Sequence, residues 1–306
     1  TYPAHATWER DLAALEAAFT SARLKEAERH RYVRMVALRC PHGVYVSLGG
    51  ALCDAMAAKL TREMASLLRT PALFSHTLNE CLGVEEELRY AHGIPAAAGS
   101  VLRAIYAAPA PLQRWLELER DDGAAALERL LQEAQWVAPR AALLQLAPGE
   151  GGGAPPPPPC AAGLLTLLGG VQRRMALVAD PATQLALLQR VMLPLLSAFT
   201  ERLRSRLNQQ SLAAQMAAPA ETDWPQLGGM LLATAHGASR LEEWSDSEPL
   251  AALLPREVPQ AESAEPGASA GGAFGATLLE WAEIEREIEQ LAHEIVTSSF
   301  GTAARK

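Results

Sequence analysis

Residues 74–89 read Phe-Ser-His-Thr-Leu-Asn-Glu-Cys-Leu-Gly-Val-Glu-Glu-Glu-Leu-Arg. Large apolar residues stand four apart at Phe74, Leu78 and Leu82, and a further one follows at Leu88. Steps of three or four residues place such side chains on one face of an α-helix. The sequence His92-Gly93-Ile94-Pro95 follows, and it should end the helix because Gly suits a helix C-terminus and Pro cannot continue one. The stretch therefore predicts an amphipathic helix with a defined end.

The same periodicity recurs on both sides of this stretch, and no run of alternating residues suggests a strand. Aromatic residues make up only 5% of the chain, whereas Ala and Leu, which favour helices, are abundant. The chain is therefore predicted to be all-α, with Pro194 kinking the longest helix. The further helical stripes are Trp8–Phe19, Val44–Met64, Leu112–Leu131, Leu164–Val178, Leu185–Leu207, Leu227–Trp244 and Leu278–Ile295.

Length and charge narrow the class of protein. The 306 residues contain 49% hydrophobic residues, enough for a core near the size at which chains divide into subdomains. The net charge is −8, and residues 221–306 carry 5 basic and 15 acidic groups, which argues against nucleic acid as a partner. The longest continuous apolar run, Cys160–Val171, holds 12 residues, so no membrane-spanning segment is expected. The first residue is Thr1, and we interpret the chain as a fragment of a longer protein.

Two segments have compositions typical of linkers. Residues 148–159 contain Gly151-Gly152-Gly153 and five consecutive prolines, and residues 255–273 are rich in Ala, Ser, Gly, Pro and Glu. We expect both to be mobile. The predicted organisation is a first helical half at 1–147, a Gly/Pro linker at 148–159, and a second helical half at 160–306 with a disordered insertion at 255–273.

No arrangement of residues indicates catalysis. The glycines near 151 lack the strand and the Lys-Ser/Thr of a phosphate loop, and Thr297 stands where a His293-Glu294 zinc motif needs its second His. No Gly-x-Ser-x-Gly motif is present. We therefore expect no enzyme activity, no metal, no cofactor and no small-molecule substrate. The four cysteines, Cys40, Cys53, Cys81 and Cys160, are interpreted as buried free thiols in a reducing compartment.

Charged residues give the only candidate sites, and these are for binding a partner. Glu283 and Glu287 flank the apolar stripe of the terminal helix, along which a partner helix with a basic rim could lie. The alternative is that the bundle core consumes this stripe. Arg202 and Arg206 are candidates for an acidic partner or for anionic lipid headgroups, or their stems cover the core. Acidic runs such as Glu85-Glu86-Glu87 are interpreted as solvated helix faces, and a partner-binding acidic face is the alternative.

The order of several short motifs resembles the RINT-one/TIP-twenty family of vesicle-tethering subunits. The resemblance extends over most of the chain, with departures at Asn79, Val84 and Asp121-Asp122-Gly123, the last of which should interrupt a helix. The matching motifs are Phe74-Ser75-His76, Glu80, Leu82, Glu87-Leu88-Arg89, Pro95, Trp115-Leu116, Glu119-Arg120, Trp136-Val137, Leu164–Arg174, Phe199-Thr200-Glu201-Arg202-Leu203, Leu241–Asp246 and the helix from Phe274. We call these the signature residues.

The resemblance implies a rod of stacked antiparallel helical bundles, similar to exocyst-like tethering proteins. It implies a subunit of the Dsl/NRZ complex, cytoplasmic and peripheral on the endoplasmic reticulum membrane. Its partners would be other subunits of that tether and endoplasmic-reticulum SNAREs, in Golgi-to-ER retrograde transport. Because no N-terminal helical arm precedes Trp8, the zeste-white-ten-like subunit is not expected to bind. The alternative function is a generic helical scaffold or adaptor, including a cell-cycle checkpoint role.

Overall fold

The computed structural model describes residues 43–95, 98–132, 136–137, 156–216, 223–247, 250–253 and 272–303. All regular secondary structure in these ranges is helical, which confirms the all-α prediction. The stripe Trp8–Phe19, residues 148–155 of the predicted linker and residues 255–271 of the predicted insertion lie outside the described residues.

The chain forms two compact units, each built from two stretches of sequence. The first unit holds residues 1–115 and 177–180, and the second holds residues 116–176 and 181–306. Residues 116–130 belong to the second unit because their side chains pack there. A Cβ atom at Gly123, for example, would lie 3.0 Å from Leu195 Cδ1.

The first unit is built from two long helices and short connecting elements. Its elements are α1 (Gly43–Arg69), α2 (Pro71–Glu86), a π-helical turn π1 (Glu87–Ala91), α3 (Arg103–Tyr106) and the start of α4 (Pro109–Leu130). Helix α1 packs against α2 and α3, and the core is formed mainly by apolar side chains of these helices and the loop before α3.

The predicted stripe Val44–Met64 is only partly a core stripe. Leu48 is 63% exposed and Leu52 is also exposed, whereas Met64 is buried. A step of four residues advances 400° around a helix that turns every 3.6 residues, so the stripe winds away from one face by about 40° a step. The face of α1 that enters the core instead carries small residues, Gly49, Gly50, Cys53 and Ala57.

The end of α2 is where the sequence predicted it, with an added π turn. The backbone N–H of His92 donates to Glu87 O at 3.2 Å, and that of Ile94 donates to Leu88 O at 2.9 Å. Gly93 has φ +64°, a left-handed conformation that other residues rarely adopt. Gly93 therefore reverses the chain after the helix, as the Gly-Pro signal predicted.

The second unit is a helical bundle in which the terminal helix packs against two others. Its elements are the rest of α4, α5 (Pro159–Leu177), α6 (Pro181–Leu187), a π turn π2 (Leu188–Met192), α7 (Leu193–Met216), α8 (Trp224–Ser245), α9 (Leu250–Leu253) and α10 (Gly275–Ala303). Helix α10 contacts α7 and α8, and Asp223 Oδ1 caps α8 by accepting from the Gln226 N–H at 3.1 Å.

The predicted interruption of α4 is absent. Helix α4 runs through Asp121-Asp122-Gly123 without a break, because Gly123 lies at a close helix contact and the two acids face solvent.

Helix α5 begins at Pro159, the last residue of the predicted linker. Proline suits a first helical position because its missing N–H is not needed there.

Pro194 is accommodated by the π turn that precedes it. Proline cannot donate to the carbonyl four residues earlier, and its ring crowds that carbonyl. At π2 the N–H of Leu193 donates to Leu188 O, five residues back, so the helix widens by one residue just before Pro194. The helical stretch Pro181–Gln215 is, by length and composition alone, apolar enough to cross a membrane, because it contains an 18-residue window with a mean hydropathy of 1.2. Half of that window is buried inside the protein.

Candidate partner-binding surfaces

A buried ion pair occupies the centre of the signature in the first unit. Glu85 is 0% exposed, and its Oε1 accepts from Arg89 Nη2 one turn along the chain. Glu85 Oε2 accepts from the Val101 N–H at 3.0 Å. Arg89 also donates to Ile94 O and to Gly99 O, each at 2.8 Å. This Glu85–Arg89 network fastens the end of α2 to the loop before α3.

The network corrects one interpretation of the acidic run. Glu86 and Glu87 are exposed as predicted, but Glu85 is not on the solvent face. Its neighbours one turn back, Cys81 and Leu82, are buried. The spacing of four to Arg89 was the available signal, since it places an ion-pair partner on the same face.

The signature residues of the second unit form an aromatic cluster. Trp136 and Phe199 stack with ring centroids 5.3 Å apart, and Phe199 lies 5.9 Å from Trp281. Trp281 Nε1 donates to Thr200 Oγ1 at 2.7 Å, and Trp136 Nε1 donates to Leu131 O at 3.2 Å. The cluster joins α7 to α10 and to the residues after α4, so these signature residues are part of the core.

A second ion pair links two signature helices within the same unit. Arg174 Nη1 of α5 donates to Glu119 Oε2 of α4 at 2.8 Å, and Glu119 is largely buried. Both residues belong to the motifs that carried the family resemblance. The signature residues Glu119 and Arg174 therefore pair with each other, and the signature residue Arg89 pairs with the buried Glu85.

The apolar stripe of α10 is buried in the bundle core, so a partner helix cannot lie along it. Trp281, Ile284 and Ile288 are fully buried or nearly so. The reason is that α10 lies against α7 and α8, which cover this face. The hypothesis that a partner helix lies along the stripe is thus wrong. The stated alternative, that the bundle core consumes the stripe, applies.

The acidic flank of the stripe does remain exposed. Glu283 and Glu287 both face solvent, and Arg204 Nη2 lies 3.5 Å from Glu283 Oε2. One side of α10 carries them in a row with further exposed polar residues at helical spacing. We call this row the acidic ridge: Glu280, Glu283, Glu287, Gln290 and Glu294.

The two arginine candidates differ in exposure. Arg202 is exposed, whereas Arg206 is only 9% exposed. The Arg206 guanidinium lies over the Trp136 ring at 5.2 Å, and its Nη2 donates to Leu131 O at 3.4 Å. Arg206 is therefore held in a fixed position by the aromatic cluster, which the sequence did not predict.

The described residues provide neither a metal site nor a reactive thiol. No group of three or more His, Cys, Asp or Glu is placed to hold a metal ion in the ranges that the structure describes. Cys53, Cys81 and Cys160 are free and buried, as predicted, and Cys40 lies outside the described residues. Burial raises the pKa of Cys81 to about 11 and that of Cys160 to about 12, and it also raises the pKa of Cys53.

We expect these three thiols to resist alkylation in the folded protein. A thiolate is the reactive form, and a raised pKa keeps each group protonated near about pH 8, where an ordinary cysteine reacts. Iodoacetamide should label Cys53, Cys81 and Cys160 only after denaturant is added, measured by mass spectrometry of their peptides. Rapid labelling of Cys160 in the native protein would show that its thiol is not buried in solution.

Comparison with known protein families gives a match over most of the chain. A family model described as the RINT-1/TIP-1 family matches residues 39–305, which include every signature residue and most of both compact units. No curated protein and no solved structure matches the chain.

Proposed function

The chain belongs to the RINT-1/TIP-1 family, and from this membership we propose that it is a non-enzymatic subunit of a vesicle tether at the endoplasmic reticulum. In this role it acts in Golgi-to-ER retrograde transport as a cytoplasmic protein that is peripheral on the membrane. It binds endoplasmic-reticulum SNAREs and the other protein subunits of the Dsl/NRZ tether. The observation that carries the proposal is the extent of the family match, residues 39–305.

The placement of the signature residues supports a role in assembly. The signature residues Arg89, Glu119 and Arg174 form ion pairs within the fold, and the signature aromatics lie in the core, so these residues build a helical frame. A frame of this kind offers its partners long helical faces. The exposed faces then carry the specific contacts.

We propose the acidic ridge of α10 as the face that meets a SNARE. From Glu280 to Glu294 it is about 21 Å long at 1.5 Å per residue. Leu279 lies beside the ridge and is 55% exposed, which adds an apolar contact to the charges. A partner helix with a basic face and an apolar edge would complement both features.

Charge reversal tests the ridge with a matched control. We expect Glu283→Lys combined with Glu287→Lys to weaken binding to the cytosolic N-terminal region of an endoplasmic-reticulum SNARE by at least about tenfold at low salt. The control is Glu242→Lys combined with Glu289→Lys. Both control residues are exposed, Glu289 lies on another side of α10, and the change in net charge is the same. Binding would be measured by calorimetry across a range of salt concentrations.

The outcomes separate the surface from the function. Equal affinities of the two double variants would rule out the ridge and leave the tether role standing. Failure of the unaltered chain to bind any endoplasmic-reticulum SNARE would overturn the SNARE-binding function. Affinity capture from cells that recovers neither SNAREs nor tether subunits would favour a generic helical scaffold instead.

A further inference from the structure

Two exposed helix faces, one in each compact unit, carry side chains at the same repeat. In both, the side chains follow alternating steps of three and four residues, the spacing of the seam along which two helices of a coiled coil meet. Every residue of both seams is exposed. The α1 seam consists of Leu52, Ala55, Lys59, Arg62, Ser66 and Arg69. The α10 seam consists of Ala276 and the first four residues of the acidic ridge, Glu280, Glu283, Glu287 and Gln290.

The seams face away from the cores of their own units. Helix α1 turns Cys53 into the core of the first unit, and α10 turns Trp281 into the core of the second. The outward faces nevertheless carry leucines. Leu52 in the α1 seam is 52% exposed, and Leu279 beside the α10 seam is 55% exposed. A helix that covered either leucine would remove this apolar surface from water, which is favourable.

The charges of the two seams are complementary. The α1 seam carries three cations, Lys59, Arg62 and Arg69, and the α10 seam carries three carboxylates, at Glu280, Glu283 and Glu287. Glu283 also lies 3.5 Å from Arg204 Nη2. An ion pair between two exposed side chains holds its members only weakly, so Glu283 can accept a second cation.

The same asymmetry of charge runs through the whole sequence. Residues 1–70, which include the α1 seam, contain 10 basic and 7 acidic groups. Residues 221–306, which include the α10 seam, contain 5 basic and 15 acidic groups. The basic region of one molecule therefore attracts the acidic region of another copy.

We propose that the α1 seam of one copy of the chain packs parallel to the α10 seam of a second copy. One register keeps the steps of three and four residues in phase on the two helices, as in a parallel coiled coil. Two layers of this register are ion pairs, two are hydrogen-bonding pairs with one charged member, and one is a pair of small residues. In it Ala55 faces Ala276, Lys59 faces Glu280, Arg62 faces Glu283, Ser66 faces Glu287 and Arg69 faces Gln290.

The residues beside the α1 seam fit the shape of this contact. On one side of its own seam, α10 is flanked by the helices that pack against it, so the second copy has to present small side chains there. The α1 residues next to the seam on that side are Ala51, Ala58 and Ala65, which are all exposed and seven residues apart. On the other side, Leu279 packs against the stem of Glu63.

The contact joins two different surfaces, so it is heterologous. When two copies pair, one α1 seam and one α10 seam stay unused, and further copies can add head to tail. The contact uses the acidic ridge that we propose for a SNARE, but it does not depend on the tethering role.

Sedimentation equilibrium of the full chain tests the contact. We expect the average mass to rise with protein concentration at low salt and to fall towards that of one chain at high salt, because salt screens exposed ion pairs. Lys59→Glu combined with Arg62→Glu should weaken the association by at least about tenfold, and so should Glu280→Lys combined with Glu283→Lys. A mixture of the two double variants should associate again, because each supplies the unaltered seam that the other lacks.

The matched control is Arg129→Glu combined with Arg190→Glu. Both arginines are exposed and lie outside the seams, and the change in net charge equals that of the α1 variant. Its association should stay within about twofold of the unaltered chain. All the altered residues are exposed, so the folds should stay intact, which far-ultraviolet circular dichroism checks. The proposal is overturned by a mass of one chain at every concentration, by an equal loss in the control, or by a mixture that does not associate.

Discussion

Replacing Glu85 with Ala should lower the free energy of unfolding of the first unit by about 3–5 kcal/mol, the usual cost of breaking a buried ion pair by removing one partner. The substitution leaves the Arg89 guanidinium buried without its carboxylate, and the Val101 N–H loses its acceptor. Arg89 keeps its bonds to Ile94 O and Gly99 O, but these neutral carbonyls do not balance its charge.

Hydrogen exchange of residues 74–91 in increasing urea gives the stability of this unit separately from the second. The matched control is Glu86→Ala, one residue along the same helix but exposed, which should change stability by less than about 0.5 kcal/mol. Replacing both partners, Glu85→Leu with Arg89→Met, should recover part of the loss because no charge is then left buried. Similar effects of Glu85→Ala and Glu86→Ala would show that the carboxylate of Glu85 is not buried in solution.

Trp281→Ala should cost the second unit about 3–5 kcal/mol, the range for emptying a site that a large aromatic fills. Trp281 is 0% exposed, contacts Phe199 and donates to the Thr200 hydroxyl. The control is Trp224→Ala, because Trp224 is 42% exposed and its loss should cost less than about 1 kcal/mol. For both variants, the free energy of unfolding is measured in increasing urea from the hydrogen exchange of α7.

Gly237 supplies an independent check on the same site. A Cβ atom at this position would collide with the Trp281 ring, so Gly237→Ala alone should be destabilising. In the Trp281→Ala background the cavity accepts the added methyl, and the cost of Gly237→Ala should fall or change sign. Additive effects of the two substitutions would mean that α8 does not approach the ring as closely as described.

Elements with a strong local pattern were predictable from the sequence. The helix of Phe74–Leu82 and its end at Gly93 both match the structure, because periodicity and turn chemistry act within a few residues.

Features that depend on partners far along the chain were not predictable. Glu85 is buried because Val101, sixteen residues away, supplies a donor, and Arg206 is buried because Trp136 supplies a ring. The stripe of α10 was correctly described as apolar, yet only the packing of α7 and α8 decides that it is core and not a docking groove. Periodicity identifies the apolar face of a helix but does not show which element packs against it.

The π turn at Leu188–Met192 has a consequence for chain length. Such a turn is equivalent to one residue inserted into an α-helix, and each residue turns the helix by about 100°. An indel of a single residue here would leave the helix intact while rotating everything downstream by more than a quarter turn. Phe199 would leave its stacking partners, and the pair Arg202 and Arg206 would face a different neighbour. The contacts that these residues make therefore depend on the number of residues before them as well as on their identity.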